Sequence, residues 1–313
     1  MFFNSLILAA GVFFISVPSI ASAFDVGLNP NPSANVSKLD AAGKGLIKEL
    51  GTHSLRLGFR GGKYLPNVDW AVQNGMGVLL FLGYTQGCAS PITPAGRQCY
   101  ADRSAGLAQE LGSKAQYYEV WNEWNGGFGL GCNWKQPPCN NAAMYTDLLC
   151  KTYTAVKAVR PSAIVVGGAI AGAHEVFLRG MLNAGAGNCM DMLSLHLYVY
   201  NPTAPSRVPP DAPASVGVDK FIEVMNARKN LVKAKTGRTI PILVTEAGFH
   251  GADDQREADF ITELYERSSA VPFIEGIWWY KLKDGPKGSF GLLRNDNTKK
   301  WAFFAFQAAA ASL

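Results

Sequence analysis

The sequence of 313 residues lacks several features that mark common classes of protein. It has only four histidines, which are scattered, and no CxxC motif, so a cysteine–histidine zinc site is not expected. Leu28-Asn29-Pro30-Asn31-Pro32 follows the first strand-like segment in place of a glycine-rich phosphate loop. The net charge is only +5, and no basic cluster alternates with aromatic residues, so nucleic acid is not an expected partner.

The first 23 residues carry no charged side chain and differ from the rest of the chain. Leu6 to Val17 is almost wholly apolar, and Ala21-Ser22-Ala23 fits a small-x-small cleavage site. We predict a signal peptide over 1–23, with an uncleaved anchor as the alternative because the segment has no Lys or Arg. No later segment is apolar enough to cross a membrane. The mature protein is therefore expected to be secreted or periplasmic, without a membrane partner.

Six cysteines in an exported chain predict disulfide bonds. Two couples are close in sequence and are expected to pair locally, although six cysteines allow 15 connectivities. The local couples and the remaining two residues are Cys88 and Cys99, Cys132 and Cys139, and Cys150 and Cys189.

From residue 24 onward, short apolar strands alternate with amphipathic segments. The strand candidates are 25–28, 53–59, 77–83, 116–122, 163–168, 191–198, 240–246 and 275–281. The helix candidates lie near 36–50, 66–74, 101–112, 142–159, 174–184, 218–235, 254–269 and 300–312. Eight strand–helix pairs predict an α/β protein with a single (β/α)₈ TIM barrel domain over 24–313. A doubly wound open sheet is the competing fold, and it usually carries the phosphate loop that is missing here.

Polar residues cluster at the predicted carboxyl ends of the strands, where TIM barrels place their active sites. The segment Trp121-Asn122-Glu123-Trp124-Asn125 ends the fourth strand, and Glu246 ends the seventh. Indole rings stack on sugars, Asn bonds hydroxyl groups, and a partly desolvated Glu holds a proton at neutral pH. Two carboxylates at one barrel mouth are the groups that a glycosidase needs.

Strand alternation assigns these residues to faces. Glu119, Trp121 and Glu123 are predicted to share one face, with Glu119 deeper in the barrel and paired to Arg56. Glu246 is predicted to share its face with Ile242 and Val244. His196 and Tyr198 are predicted to lie together on the sixth strand.

Several stretches resemble the retaining glycoside hydrolases with a (β/α)₈ barrel, family 39 first and the cellulase-like family 5 next. The stretches are EVWNEWN at 119–125, 145–168, DMLSLHLY at 191–198, PILVTEAGF at 241–249 and 278–306. The resemblance implies that Glu123 is the acid/base and Glu246 the nucleophile. The predicted substrate-binding residues are Arg56, Asn122, Trp124, His196, Tyr198 and Trp279, with Trp278 as the alternative to Trp279 on the last strand. Trp124 departs from the proline that the family often has after its acid/base, which leaves the substrate open.

The predicted function is retaining hydrolysis of β-glycosidic bonds in a polysaccharide or oligosaccharide by double displacement. No metal or cofactor is required, and a monomer is expected. The chain lacks the accessory β-domain that many family 39 β-xylosidases carry, which favours endo action by analogy. The alternatives are a transglycosylase with the same residues, an exo-acting xylosidase-like enzyme, and a non-catalytic carbohydrate-binding barrel. The sequence does not specify the sugar or the linkage.

Overall fold

The computed structural model describes residues 24–30, 39–59, 65–84, 87–131, 136, 139–201, 207–209, 211–251, 253–285 and 288–313. The strands are β1 (Asp25–Asn29), β2 (Ser54–Gly58), β3 (Gly77–Phe81), β4 (Tyr117–Glu119), β5 (Ile164–Ile170), β6 (Met192–Leu197), β7 (Ile242–Ala247) and β8 (Ile274–Tyr280). The helices are α1 (Ala41–Leu50), α2 (Leu65–Gln73), α3 (Pro94–Leu111), α4 (Ala142–Val159), α5 (Glu175–Asn183), α6 (Ala214–Thr236), α7 (Asp254–Ser269) and α8 (Trp301–Ser312).

The eight strands pair in chain order, all parallel, and β8 closes on β1. The predicted (β/α)₈ barrel is therefore confirmed. Several element boundaries differ from the prediction by a few residues, most of all at the start of α3. Helix α3 begins at Pro94 because Thr93 caps it, its hydroxyl accepting a bond from the Gly96 N–H at 3.0 Å. Strand β4 ends at Glu119, three residues earlier than 122.

The inside of the barrel is filled by side chains. The rings of Tyr117 on β4 and Trp278 on β8 lie 6.3 Å apart, a contact that must cross the barrel because these strands are not neighbours. A Cβ atom on Gly27 would lie 2.3 Å from the Trp278 ring, so only glycine fits opposite this indole. The buried cluster that forms this layer is Leu79, Tyr117, Val166, Met192, Leu243 and Trp278. This layer fills the barrel below the carboxyl ends of the strands, and those ends form the mouth of the barrel.

Two disulfides are present among the described residues, Cys88–Cys99 and Cys150–Cys189. The predicted local pairing of Cys88 with Cys99 is confirmed. Cys139 is also disulfide-bonded, whereas Cys132 lies outside the described residues. The predicted signal peptide at 1–23 lies outside them as well. Within the described ranges, none of the helices has both the length and the apolar character of a membrane span.

The disulfide that closes the longer loop is expected to stabilise the barrel more. Loop-closure entropy predicts that Cys150→Ala/Cys189→Ala, with a sequence separation of 39, loses about 4 kcal/mol of unfolding free energy. The matched variant Cys88→Ala/Cys99→Ala, with a separation of 11, should lose about 3 kcal/mol. Denaturant unfolding of both variants measures the two losses. A larger loss from the short loop would contradict the ranking.

Candidate active site

Arg56 on β2 is the buried cation at the centre of the barrel mouth, and its side chain is only 4% exposed. Its Nε donates to Glu119 Oε2 at 2.6 Å, as the sequence predicted. Its Nη1 donates to Glu246 Oε1 at 2.7 Å and to Asn29 Oδ1 at 3.2 Å, and its Nη2 donates to Asn122 Oδ1 at 2.8 Å. One guanidinium group on β2 thereby joins residues at the ends of β1, β4 and β7.

The segment after β4 does not continue the strand. Trp121 and Glu123 both have positive φ, at 66° and 49°, so the side chains no longer alternate regularly. The predicted common face of Glu119, Trp121 and Glu123 is therefore wrong. Trp121 is fully buried against Tyr100, which lies on α3, while Glu119 points into the barrel and Glu123 into its mouth.

A backbone bulge in β5 holds Glu123 in this conformation. The Glu123 N–H donates to the Ala169 carbonyl at 2.9 Å, and Ala169 itself has φ 43°. A Cβ atom on the preceding Gly168 would lie 2.4 Å from a backbone oxygen of β6, so glycine is required there. The Asn125 amide bonds the backbone of Ala171 in both directions at 3.0 Å. The loops after β4 and β5 are thus fixed to each other around the carboxylate.

A second bulge, in β7, turns Glu246 inward. Along the β6–β7 ladder the register shifts so that Glu246 pairs with His196, leaving Thr245 as the extra residue. Ile242 and Val244 belong to the core between strands and helices. The predicted common face of Glu246 with Ile242 and Val244 is therefore wrong, because the bulge reverses the alternation one residue before the carboxylate.

His196 and Tyr198 both reach the carboxylates. His196 Nδ1 lies 2.8 Å from Glu123 Oε1 and 3.6 Å from Glu246 Oε2. The Tyr198 hydroxyl donates to Glu246 Oε2 at 2.7 Å. One oxygen of Glu123 and one of Glu246 lie within 4.8 Å of each other. The four side chains therefore form one compact constellation.

The electrostatic surroundings favour an ionised Glu246. Burial alone would raise the pKa of Glu246, but His196, Arg56 and the Tyr198 hydroxyl together lower it. Burial likewise opposes a charged His196, but Glu246 and Glu123 outweigh it and raise the pKa of this imidazole. Burial and the neighbouring Glu246 raise the pKa of Tyr198 well above 10.0, so its hydroxyl remains a donor.

Glu123, His196 and Glu246 have atoms of the types that bind metal ions within 4.8 Å of one another. Glu246 already accepts bonds from Arg56 and Tyr198, and the adjacent guanidinium repels a second cation. These contacts therefore suit a Glu246 that is paired with Arg56 better than a Glu246 that binds a metal ion.

Two predicted substrate contacts are wrong in this structure. Trp124 is fully buried, with its ring 5.3 Å from Trp121 and 5.8 Å from Tyr145 on α4. Trp279 is fully buried on the outer face of β8, and its ring lies 6.4 Å from Phe260 on α7. Both indoles anchor strand ends from behind and are not accessible to a ligand.

Tyr280 lies at the barrel mouth, at the end of the strand where the sequence analysis selected Trp279. It pairs with Asn29 across the β1–β8 ladder, and its ring lies 5.7 Å from both Tyr198 and Phe290. Alternation along β8 supplied the signal, because Tyr280 and the inward Trp278 share a face. The prediction chose the second tryptophan of the run, Trp279, which is one residue before Tyr280.

The sequence matches no family model and no curated protein. Solved structures do match. One is a family 39 glycoside hydrolase from the gut symbiont Bacteroides cellulosilyticus WH2, with TM-score 0.69, 21% identity and 94% of this chain covered. Another is a monomeric beta-xylosidase from Caulobacter crescentus CB15, with TM-score 0.66, 20% identity and 91% covered. A third is the GH39 enzyme from Xanthomonas axonopodis pv. citri, with TM-score 0.67, 17% identity and 92% covered.

The chain spans about two thirds of each of these structures, 65%, 67% and 66% of their lengths in the same order. At these identities the likeness is one of fold. The resemblance to family 39 in the sequence is thus matched by a common (β/α)₈ architecture.

Proposed function

We propose that the protein is a retaining β-glycosidase that works by double displacement, with Glu246 as nucleophile and Glu123 as acid/base. The observation that carries the proposal is the pair itself, two carboxylates at one barrel mouth with oxygens within 4.8 Å. Retaining enzymes separate their carboxyl groups by about 5–5.5 Å, and inverting enzymes leave about 6.5–9.5 Å for a water. The short separation favours covalent catalysis.

The two carboxylates have different surroundings that suit different roles. Glu246 accepts bonds from Arg56 and Tyr198, which favour the charged form that attacks the anomeric carbon. Glu123 has no guanidinium partner among the described contacts, bonds His196, and has a side chain that is 16% exposed. In the first step Glu123 gives its proton to the leaving oxygen as Glu246 bonds to the sugar. In the second step Glu123 takes a proton from the water that releases the sugar.

Asn122 is proposed to bind the sugar hydroxyl next to the anomeric carbon. Its Oδ1 accepts from Arg56 at 2.8 Å, which orients the amide and directs its Nδ2 hydrogens away from the guanidinium. A bond that strengthens as positive charge develops on the ring would lower the barrier.

The proposed substrate is a β-linked polysaccharide or oligosaccharide, cleaved internally by a monomeric enzyme. A cavity of about 990 Å³ adjoins Glu123 and Tyr198, large enough for more than a single sugar ring. The similar structures include a beta-xylosidase and a glucosidase, so β-xylosides and β-glucosides are the first probes. Secretion or a periplasmic location is proposed as well, because disulfides persist in oxidising compartments.

The two carboxylates can be told apart by azide rescue on an activated β-glycoside. Glu246→Ala should lose kcat by about 10⁴-fold or more, since losing one member of a catalytic set costs on the order of 10⁴–10⁶. Added azide should then give the α-glycosyl azide, because it attacks the sugar directly. Glu123→Ala should form the glycosyl-enzyme and give the β-glycosyl azide. NMR of the products identifies each anomer.

The matched control is Glu110→Ala, which removes an exposed carboxylate on α3 and should keep the wild-type rate. A Glu246→Ala enzyme with wild-type activity would remove Glu246 from the proposed role. An inverted first product from the wild-type enzyme would contradict double displacement. Product masses also separate hydrolysis from transfer to a second sugar.

Removing the Tyr198 hydroxyl should move the acidic limb of the pH profile. That hydroxyl bond lowers the pKa of Glu246, so Tyr198→Phe should raise this pKa, and Glu246 should lose its charge at a higher pH. A bond to a charged group contributes about 1.5–3 kcal/mol, which corresponds to about one to two pH units. The measurement is kcat/KM against pH.

The control is Tyr200→Phe. The wild-type Tyr200 hydroxyl donates to the Pro213 carbonyl at 2.6 Å and makes no bond to Glu246. Its acidic limb should coincide with that of the wild type. If Tyr198→Phe lowers activity without moving the limb, the hydroxyl acts on something other than the ionisation of Glu246.

A further inference from the structure

The cavity at the barrel mouth adjoins only one of the two carboxylates. Its lining includes Glu123 and residues of the loops after β4 and β5, but Glu246 is not part of the lining. Two large apolar side chains in the lining are exposed, Phe128 at 52% and Val176 at 74%. An exposed aromatic ring beside the proposed acid/base is not explained by core packing, and apolar side chains that line a cavity together with a few polar groups are typical of ligand sites.

The position of Phe128 is fixed by the loop that carries it. Its carbonyl accepts a bond from the buried Trp121 indole at 3.0 Å. Its ring lies directly on Gly126, where an added Cβ would be 2.8 Å from the ring and 3.8 Å from the Glu123 Cβ. Gly129, with φ 75°, packs so closely on Tyr84 that a Cβ would lie 2.3 Å from its ring. The loop therefore presents a flat, rigid aromatic face next to Glu123.

A second part of the cavity lining comes from the start of α5. Val176 is in the first turn of that helix, and the His174 side chain caps it by accepting the Phe177 N–H at 3.3 Å. Phe177 itself is buried against Tyr145, which holds the turn in place. The aromatic face of Phe128, in the loop after β4, and the aliphatic side chain of Val176, in the first turn of α5, thus line one cavity.

We infer that Phe128 and Val176 bind the leaving-group side of the substrate, through the apolar face of a ring. The inference rests on the proposed function. As the bond from Glu246 to the anomeric carbon forms, the glycosidic C–O bond breaks and its electron pair goes to the leaving oxygen, which takes the proton of Glu123. The part of the substrate attached through that oxygen therefore lies on the Glu123 side, where this cavity is.

Two kinds of ring have a suitable face, the C–H face of a sugar and an aryl group. Either would give binding energy that the enzyme can use in the transition state. Phe128 is thus assigned as a residue that determines specificity for the leaving group, and it takes no part in proton transfer.

The test compares leaving groups on one sugar. The β-xylosyl and β-glucosyl fluorides have a one-atom leaving group, the p-nitrophenyl glycosides have an aryl ring, and linear β-linked xylo- or gluco-oligosaccharides have sugar rings. For Phe128→Ala, kcat/KM on the fluoride should stay within about twofold of wild type. On one or both ring-bearing substrates it should fall about 10- to 100-fold, as expected for losing the burial of an aromatic face.

Three further variants separate a binding role from a folding defect. Gly126→Ala inserts a Cβ under the Phe128 ring and should show the same selective loss. Phe304→Ala removes an aromatic ring of similar exposure, 46%, from α8 and should leave every substrate unchanged. Phe128→Tyr keeps the flat face and should restore the ring-bearing substrates.

Each outcome decides the inference. A loss on the oligosaccharide alone supports a sugar ring at this face, and a loss on the aryl glycoside alone supports an aryl ring. An equal loss on the fluoride, or no loss on any substrate, overturns the inference while leaving the proposed hydrolysis intact. A wild-type enzyme inactive on fluorides, aryl glycosides and oligosaccharides alike overturns the proposed function, and this inference falls with it.

Discussion

The charge of Arg56 is the constraint on which the barrel mouth depends. A guanidinium group that is almost wholly buried must be compensated by partners, because an unpaired buried charge is very costly. The partners come from different strands: Glu119 and Asn122 at the end of β4, Glu246 on β7 and Asn29 on β1. Only a closed barrel brings these ends within reach of one side chain, so fold and site stabilise each other.

The site is built where the strands are irregular. Glu246 faces inward because a bulge at Thr245 shifts the β6–β7 register, and Glu123 enters the mouth through a left-handed backbone conformation. Bulges and positive φ re-aim side chains in ways that a regular strand cannot. The backbone carbonyl of Ala169 holds one of these turns, and the pairing with His196 fixes the other.

The aromatic residues divide into anchors and an accessible platform. Trp121, Trp124 and Trp279 are fully buried: the first two pack together beside Glu123, and Trp279 packs between β8 and α7. Their surface is in the core, so the proposed stacking on a substrate is assigned to an exposed ring in a loop. Phe128 is such a ring, and Tyr280 occupies the position at the end of β8 that the sequence reasoning gave to Trp279. Aromatic content near a site therefore predicts rigidity as readily as it predicts binding.

The sequence by itself determined the eight strand–helix pairs, the pairing of Arg56 with Glu119, and the two glutamates at strand ends. These follow from periodicity and from the need to pair a buried charge, which are local or chemical constraints. Only the tertiary structure decided which way each end residue points. Alternation holds for regular strands, whereas the turns at Glu123 and Thr245 are set by hydrogen bonds to neighbouring strands that no local pattern records.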